Sequence, residues 1–139
     1  MNQEGEALTA ENFDAALKYL DVLESQSIIS ENGEEIAKTG GCEAIKDFLM
    51  VLYYNNWLIN TRWQDWTGIA ETHLGHRELL KEADVETIRK ILTVHVRIDR
   101  LFPGDIADII SKGYMFAIFK RIEELKEPYL AGLAENGNS

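Results

Sequence analysis

The spacing of apolar residues predicts a chain built mostly of helices. Between Thr9, a good N-cap residue, and about Glu24, apolar side chains recur every three or four positions and form one helical face. Over residues 43–59 they cover almost every direction of a helical wheel, which is typical of a helix surrounded by others. A short buried strand over residues 48–54 is the alternative, because so brief an apolar run does not fix the period.

The second half of the chain has clearer helix boundaries. Asp84 is a good N-cap, and the apolar residues after it keep helical spacing up to Phe102, where Pro103-Gly104 ends the helix. A short helix is predicted to begin at Asp105. A final amphipathic helix is predicted to stop at Pro128, because proline lacks the N–H that continues a helix.

The remaining segments are less regular, yet the whole pattern fits one fold class. Residues 25–41 are predicted to form a loop, and residues 60–82 a short helix interrupted by glycines. We therefore predict an all-α, compact domain of five to six helices. The predicted boundaries are a single domain over residues 1–139, central helices near 43–59 and 84–102, and frayed tails at 1–8 and 131–139.

The charge is strongly negative and unevenly placed. The net charge is −10, and residues 1–45 hold ten of the 24 acidic residues but only Lys18 and Lys38 among the 14 basic ones. An acidic surface repels phosphate backbones, so we expect no direct nucleic-acid binding. This acidic third could attract a basic partner or could form a solvated, solubilising surface.

Cysteine usage and hydropathy favour the cytoplasm. Cys42 is the single cysteine, which rules out an internal disulfide and fits a reducing compartment. The first ten residues lack the pattern of a signal peptide, and no apolar run approaches the length that spans a membrane. We expect a cytoplasmic protein with no membrane partner.

The predicted helix over residues 84–102 carries a basic stripe. Within one arc of its helical wheel, the charged and polar residues are Glu86, Arg89, Lys90, Thr93, Arg97 and Arg100. The stripe could pair with the acidic third of the chain or lie in solvent. Alternatively, Arg97 and Arg100 could bind a carboxylate or phosphate.

His95 and Asp99 lie on the apolar arc of the same helix, one turn apart. A carboxylate on a buried face needs a partner, which His95 or an arginine from another helix could supply. The pair could fix helix packing, or it could act as an acid–base couple at the wall of a pocket. With Arg97 and Arg100, these residues form the candidate ligand-binding cluster.

Three weaker signals concern metal, thiol and aromatic chemistry. His73 and His76 have a spacing that can share a metal on a helix, but Gly75 favours a surface loop, so no metal or cofactor is predicted.

Cys42 could be an activated thiol paired with His95, or a small buried residue. The aromatic residues between Tyr53 and Trp66 could form core, a homodimer contact or a ligand pocket.

One segment resembles a known family. Residues 92–104, with Thr93, Arg97, Arg100 and Gly104 in place, are similar to the signature of a family of small bacterial proteins of unknown function. Further matches and conservative departures are Gly113, Arg121, Asp99 for glutamate, Leu101 for phenylalanine and Ile122 for leucine. The resemblance implies a compact, mainly helical protein of bacteria or their phages, and it implies no activity.

These observations favour a non-enzymatic protein-interaction or regulatory module, since no phosphate loop, metal constellation or nucleophile motif is present. The predicted interaction surface consists of Glu11, Asp14, Asp21, Glu24, Trp57, Trp63 and Trp66. One rival is a small-anion binder or enzyme built on the cluster around His95. Another is an acidic inhibitor that mimics nucleic acid. Homodimerisation is compatible with all three hypotheses.

Overall fold

The computed structural model describes residues 7–25, 43–59 and 62–137. Within these ranges the protein has seven α-helices, two 3₁₀ helices and no strand, which confirms the all-α fold and excludes the predicted strand alternative. The α-helices are α1 (Ala10–Leu17), α2 (Leu20–Ser25), α3 (Glu43–Tyr54), α4 (Thr67–Gly75), α5 (Val85–Leu101), α6 (Asp105–Ser111) and α7 (Tyr114–Gly137). The 3₁₀ helices are Trp63–Trp66 and Arg77–Glu82.

The predicted count of five to six helices is too low for two reasons. The first predicted helix breaks after Leu17, where the N–H of Tyr19 turns back to the carbonyl of Ala16 at 3.0 Å. The break places the ring of Tyr19 against Phe48 of α3, with 4.9 Å between ring centroids. The second reason is α4, which passes through Gly68 without interruption. The loop predicted over residues 25–41 lies almost entirely outside the described residues.

Thr9 is the N-cap residue of α1, as predicted. Its Oγ1 accepts a hydrogen bond from the N–H of Asn12 at 3.2 Å, and the Asn12 Oδ1 accepts one from the N–H of Thr9 at 2.9 Å. This reciprocal cap satisfies donors that a helix start leaves unpaired. Leu8, just before the cap, is buried, and its N–H donates to the hydroxyl of Tyr129 on α7.

The helix α3 is not surrounded on every side, which corrects the prediction from its apolar pattern. Ile45, Phe48 and Leu52 are buried, but Met50, Tyr53 and Tyr54 are exposed. The helix also ends at Tyr54 rather than Ile59. Asn56 takes the left-handed conformation with φ of 65°, and this turn directs the next residues, Trp57 and Ile59, into the core.

The central helix is α5. Every residue from Ile91 to Val96 is buried, and the helix contacts α4, α6, α7 and the 3₁₀ helix Trp63–Trp66. Asp84 caps its N-terminus, with Oδ1 accepting from the N–H of Thr87 at 2.8 Å. That backbone hydrogen bond lowers the pKa of Asp84 below its usual value. From Arg97 onward the helix emerges from the core.

The helix α7 continues through Pro128 to Gly137, so the predicted stop is wrong. Proline removes one helical hydrogen bond, to the carbonyl of Glu124, and both residues are exposed. Beyond the proline, Tyr129 packs against Phe13 of α1 at 5.5 Å, which holds the helix on the core. Among the described residues no helix combines the length and apolarity that a membrane span requires.

Candidate functional site

The corner between α5 and α6 contains the predicted cluster. Gly104 has φ of 113°, a left-handed conformation that other residues rarely adopt, and it turns the chain back sharply. Gly104 is also the N-cap of α6 and has no side chain to cap it. Asp99 does so instead, with Oδ1 accepting from the N–H groups of Gly104 at 3.1 Å and Ile106 at 3.0 Å. The partner of Asp99 is therefore backbone, not His95 or an arginine.

His95 bonds to Asp105, which sequence reasoning missed. Its Nδ1 lies 2.9 Å from Oδ2 of Asp105, and the His95 residue is only 4% exposed. A carboxylate at Nδ1 holds the proton there, which makes Nε2 the acceptor nitrogen in the neutral ring. The sharp turn at Gly104 brings Asp105 within hydrogen-bonding distance of His95. The spacing of residues along one helix does not predict that contact. The predicted neighbours His95 and Asp99 thus brace the same corner through different partners.

Two buried polar atoms beside this brace have no hydrogen-bond partner among the described residues. They are Nε2 of His95 and the hydroxyl of Tyr114, whose rings meet edge to face at 5.9 Å. Burial raises the pKa of Tyr114 well above its usual value, so the hydroxyl stays protonated. Each unmade hydrogen bond costs about 1–3 kcal/mol. Both groups are therefore enclosed by the corner and are not offered to solvent.

The surface of the corner is cationic and apolar. Arg97 is half-buried and Arg100 is exposed, and neither side chain forms an ion pair or hydrogen bond with any residue of the described ranges. Beside them, Leu101 and Phe102 are 63% and 72% exposed. The spacing predicts Phe102 on the buried face, but α5 ends one residue earlier and the ring faces solvent. We call Arg97, Arg100, Leu101 and Phe102 the corner surface.

The first half of the basic stripe is structural, whereas the sequence leaves open whether the stripe pairs with the acidic third of the chain or lies in solvent. Arg89 is 5% exposed, and its guanidinium donates to the carbonyl of Asn56, from Nε at 2.9 Å. Burial lowers the pKa of this guanidinium. Thr93 Oγ1 accepts from the N–H of Ile59 at 2.9 Å and donates to the carbonyl of Arg89 at 2.7 Å. Both side chains fix the segment after α3 onto α5.

Lys90 is also engaged within the fold. Its ammonium lies 3.3 Å from a carboxylate oxygen of Glu86 and 5.5 Å from the ring centroid of Trp66. Trp63 and Trp66 lie half-buried in the first 3₁₀ helix, against α5. They therefore offer only part of their rings to solvent.

Trp57 is not a surface residue, so its place in the predicted interaction surface is wrong. The side chain is fully buried, packs edge to face on Phe13 at 5.1 Å, and donates from Nε1 to the carbonyl of Asn12 at 2.9 Å. The left-handed turn at Asn56 sends the ring inward. Tyr53 and Tyr54, on the other side of that turn, are exposed.

All four acidic residues of the predicted interaction surface are exposed: Glu11, Asp14, Asp21 and Glu24. One of them is paired with a lysine of α7. Asp14 Oδ1 is 2.6 Å from Nζ of Lys126. The pKa of Lys120 is raised first by its hydrogen bond with Glu123, and the charge of Glu24 contributes. The acidic third is therefore partly neutralised by the protein itself.

His73 and His76 are predicted to lie in a surface loop, but only His76 lies outside a helix. His73 lies within α4, with Nδ1 2.8 Å from the carbonyl of Ile69, while His76 follows the end of that helix. In the part of the chain that the structure describes, no group of three or more metal-ligating side chains comes together. Cys42 lies outside the described residues.

The family model that matches this sequence covers residues 8–128 and is described as a family of unknown function, DUF6508. The chain belongs to the DUF6508 family. This confirms membership in a family of unknown function, as the resemblance over residues 92–104 indicates. No curated protein and no solved structure matches the chain. The DUF6508 match runs from the buried Leu8 to Pro128 in α7, so it includes the whole corner between α5 and α6.

Proposed function

We propose that the protein is a non-enzymatic protein-interaction module that binds an acidic, partly apolar segment of a partner at the corner surface. The observation that carries the proposal is the composition of this surface. Two arginines with no ion pair to any described residue precede two adjacent, exposed apolar side chains, Leu101 and Phe102. In folded proteins, aromatic and arginine residues are the ones that most often dominate the energy of an interface.

The corner is suited to binding because it is already ordered. Asp99 caps α6, His95 bonds to Asp105, and Gly104 supplies the turn. A partner therefore does not have to order this backbone, and less binding free energy is lost to conformational entropy. Burying an apolar side chain such as that of Phe102 contributes roughly 1.5–3 kcal/mol.

Charge favours an acidic partner segment at this place. The protein as a whole carries a net charge of −10, which opposes the approach of other acidic surfaces. Arg97 and Arg100 provide a local exception, and their guanidinium groups can bind carboxylates through paired hydrogen bonds. The same arrangement would select against basic partners, so it supplies specificity as well as affinity.

The acidic surface formed by Glu11, Asp14, Asp21 and Glu24 is a second candidate for docking. Glu11 and Asp21 have no ion pair within the described part of the chain. This surface would take a basic partner, opposite in charge to the one expected at the corner. The two versions therefore predict different partners and different sensitive residues.

The test compares charge reversals of equal size. Tagged wild-type protein, Arg97→Glu/Arg100→Glu and the control Lys18→Glu/Lys46→Glu are used to capture proteins from the native host, and each candidate is then titrated as a purified protein. Both control lysines are exposed and have no ion pair with a described residue. We expect a partner that binds wild type and the control but loses roughly tenfold or more in affinity for the corner variant.

Two results would contradict the corner proposal. Equal loss of binding in both variants would indicate a general effect of net charge. Loss only on reversal of Glu11, Asp14, Asp21 and Glu24 would place the interface on the acidic surface. Circular dichroism of each variant shows that the fold is retained.

A further inference from the structure

A cleft lies between the second 3₁₀ helix, Arg77–Glu82, and the first half of α7. It has a volume of about 300 Å³. Leu80, Phe116 and Ala117 contribute its apolar side chains. This volume is at the lower end of the range of about 300–1,000 Å³ that small-molecule sites occupy. The cleft shares no residue with the corner surface.

The rim of the cleft is cationic, although the protein is strongly acidic. Four basic residues and one carboxylate line it: Arg77, Lys81, Lys120, Arg121 and Glu124. Lys120 bonds to Glu123 at 2.8 Å, and Arg121 bonds to Glu124 at 3.0 Å. These two basic residues are therefore neutralised by their own neighbours along α7.

The other two basic residues form no ion pair within the described part of the chain. Arg77 donates from Nη2 to the carbonyl of Lys112 at 2.7 Å, and its guanidinium lies 5.7 Å from the ring centroid of Tyr114. Both partners are neutral, so they hold the guanidinium in place without cancelling its charge. Lys81 is exposed and has no ion pair with any residue that the structure describes. The end of the cleft formed by the 3₁₀ helix is therefore positive.

An apolar floor beside two uncompensated cations defines the chemistry of the occupant. We propose that the cleft binds a small amphipathic anion. The apolar body of the ligand lies on Leu80 and Phe116, and its carboxylate or phosphate pairs with Arg77 and Lys81. A neutral apolar molecule would leave both cations unpaired, and a simple inorganic anion would leave the floor exposed to water.

The proposal is tested by titrating the isotope-labelled full chain with decanoate, decyl phosphate, decanol and inorganic phosphate, followed by amide chemical shifts. We expect saturable shifts around residues 77–82 and 116–124 with decanoate or decyl phosphate. Decanol should bind roughly tenfold more weakly, because the charge-assisted contacts are lost. The stronger of the two charged ligands distinguishes a carboxylate site from a phosphate site.

A matched pair of lysine substitutions links binding to the cleft. Lys81→Met keeps most of the aliphatic stem and removes the charge, and Lys46→Met makes the same change at an exposed site on α3. We expect Lys81→Met to weaken decanoate or decyl phosphate binding roughly tenfold and Lys46→Met to leave it unchanged. Scattered, non-saturable shifts, equal binding of decanol, or no effect of Lys81→Met would each overturn the proposal. These outcomes are independent of the corner surface, which the experiment does not alter.

Discussion

The two halves of the basic stripe on α5 have the same kind of sequence and different structural roles. Arg89 and Thr93 are buried and bond to the backbone of the segment after α3. Arg97 and Arg100 continue the same arc of the helix, and their side chains bond to no described residue. A helical wheel gives the direction of a side chain but not the residues that it faces. Those neighbouring residues determine whether an arginine stabilises the fold or stays free to bind a partner.

The difference has a local cause in the segment that follows α3. Its left-handed turn at Asn56 presents a carbonyl to Arg89, and the N–H of Ile59 reaches Thr93. Arg97 lies one helical turn beyond Thr93, where α5 leaves the core. The first half of the stripe therefore stabilises the fold, and the second half is where we propose that a partner binds.

The largest expected effect comes from breaking the structural half. Arg89→Ala removes a buried guanidinium and leaves the carbonyl of Asn56 without its donor. We expect a loss of about 3 kcal/mol in the free energy of unfolding, since hydrogen bonds to charged groups contribute most. Urea unfolding measures the difference. A loss below about 1 kcal/mol would show that the contact does not hold the segment after α3.

A smaller effect is expected at the N-cap of the same helix. Asp84→Ala removes the acceptor for the N–H of Thr87 and should cost about 1 kcal/mol at neutral pH. Because folding lowers the pKa of Asp84, its stabilisation is complete above the unfolded pKa of about 4 and is lost as the pH falls through the folded value.

Urea unfolding at several pH values tests this cap. The difference in unfolding free energy between wild type and Asp84→Ala should shrink as the pH falls from neutral to about 3. A difference that stays constant over this range would mean that the carboxylate charge does not contribute to the cap.

The helix caps were predictable from the sequence, and contacts between residues distant in sequence were not. The caps at Thr9 and Asp84 depend on side chains and backbone within three residues, so their sequence signals are sufficient. The burial of Trp57 depends on Asn12, and the continuation of α7 past Pro128 depends on Phe13. These contacts join residues far apart in the sequence, so the spacing of apolar residues within one helix does not predict them.

The candidate site shows the same limit. The sequence identifies Asp99 as a carboxylate that needs partners, but the partners are backbone N–H groups created by the turn at Gly104. Asp105, the partner of His95, becomes visible only once α6 folds back on α5. The cleft combines Arg77 with residues of α7, which are distant in sequence, and periodicity within one helix cannot predict it.

The most direct test of the division of the stripe is the stability of Arg97→Ala/Arg100→Ala, measured by urea unfolding beside Arg89→Ala. If the second half of the stripe is free for a partner, the double variant should unfold within about 0.5 kcal/mol of wild type. A loss as large as that of Arg89→Ala would contradict the account, because it would show that Arg97 and Arg100 hold the fold together.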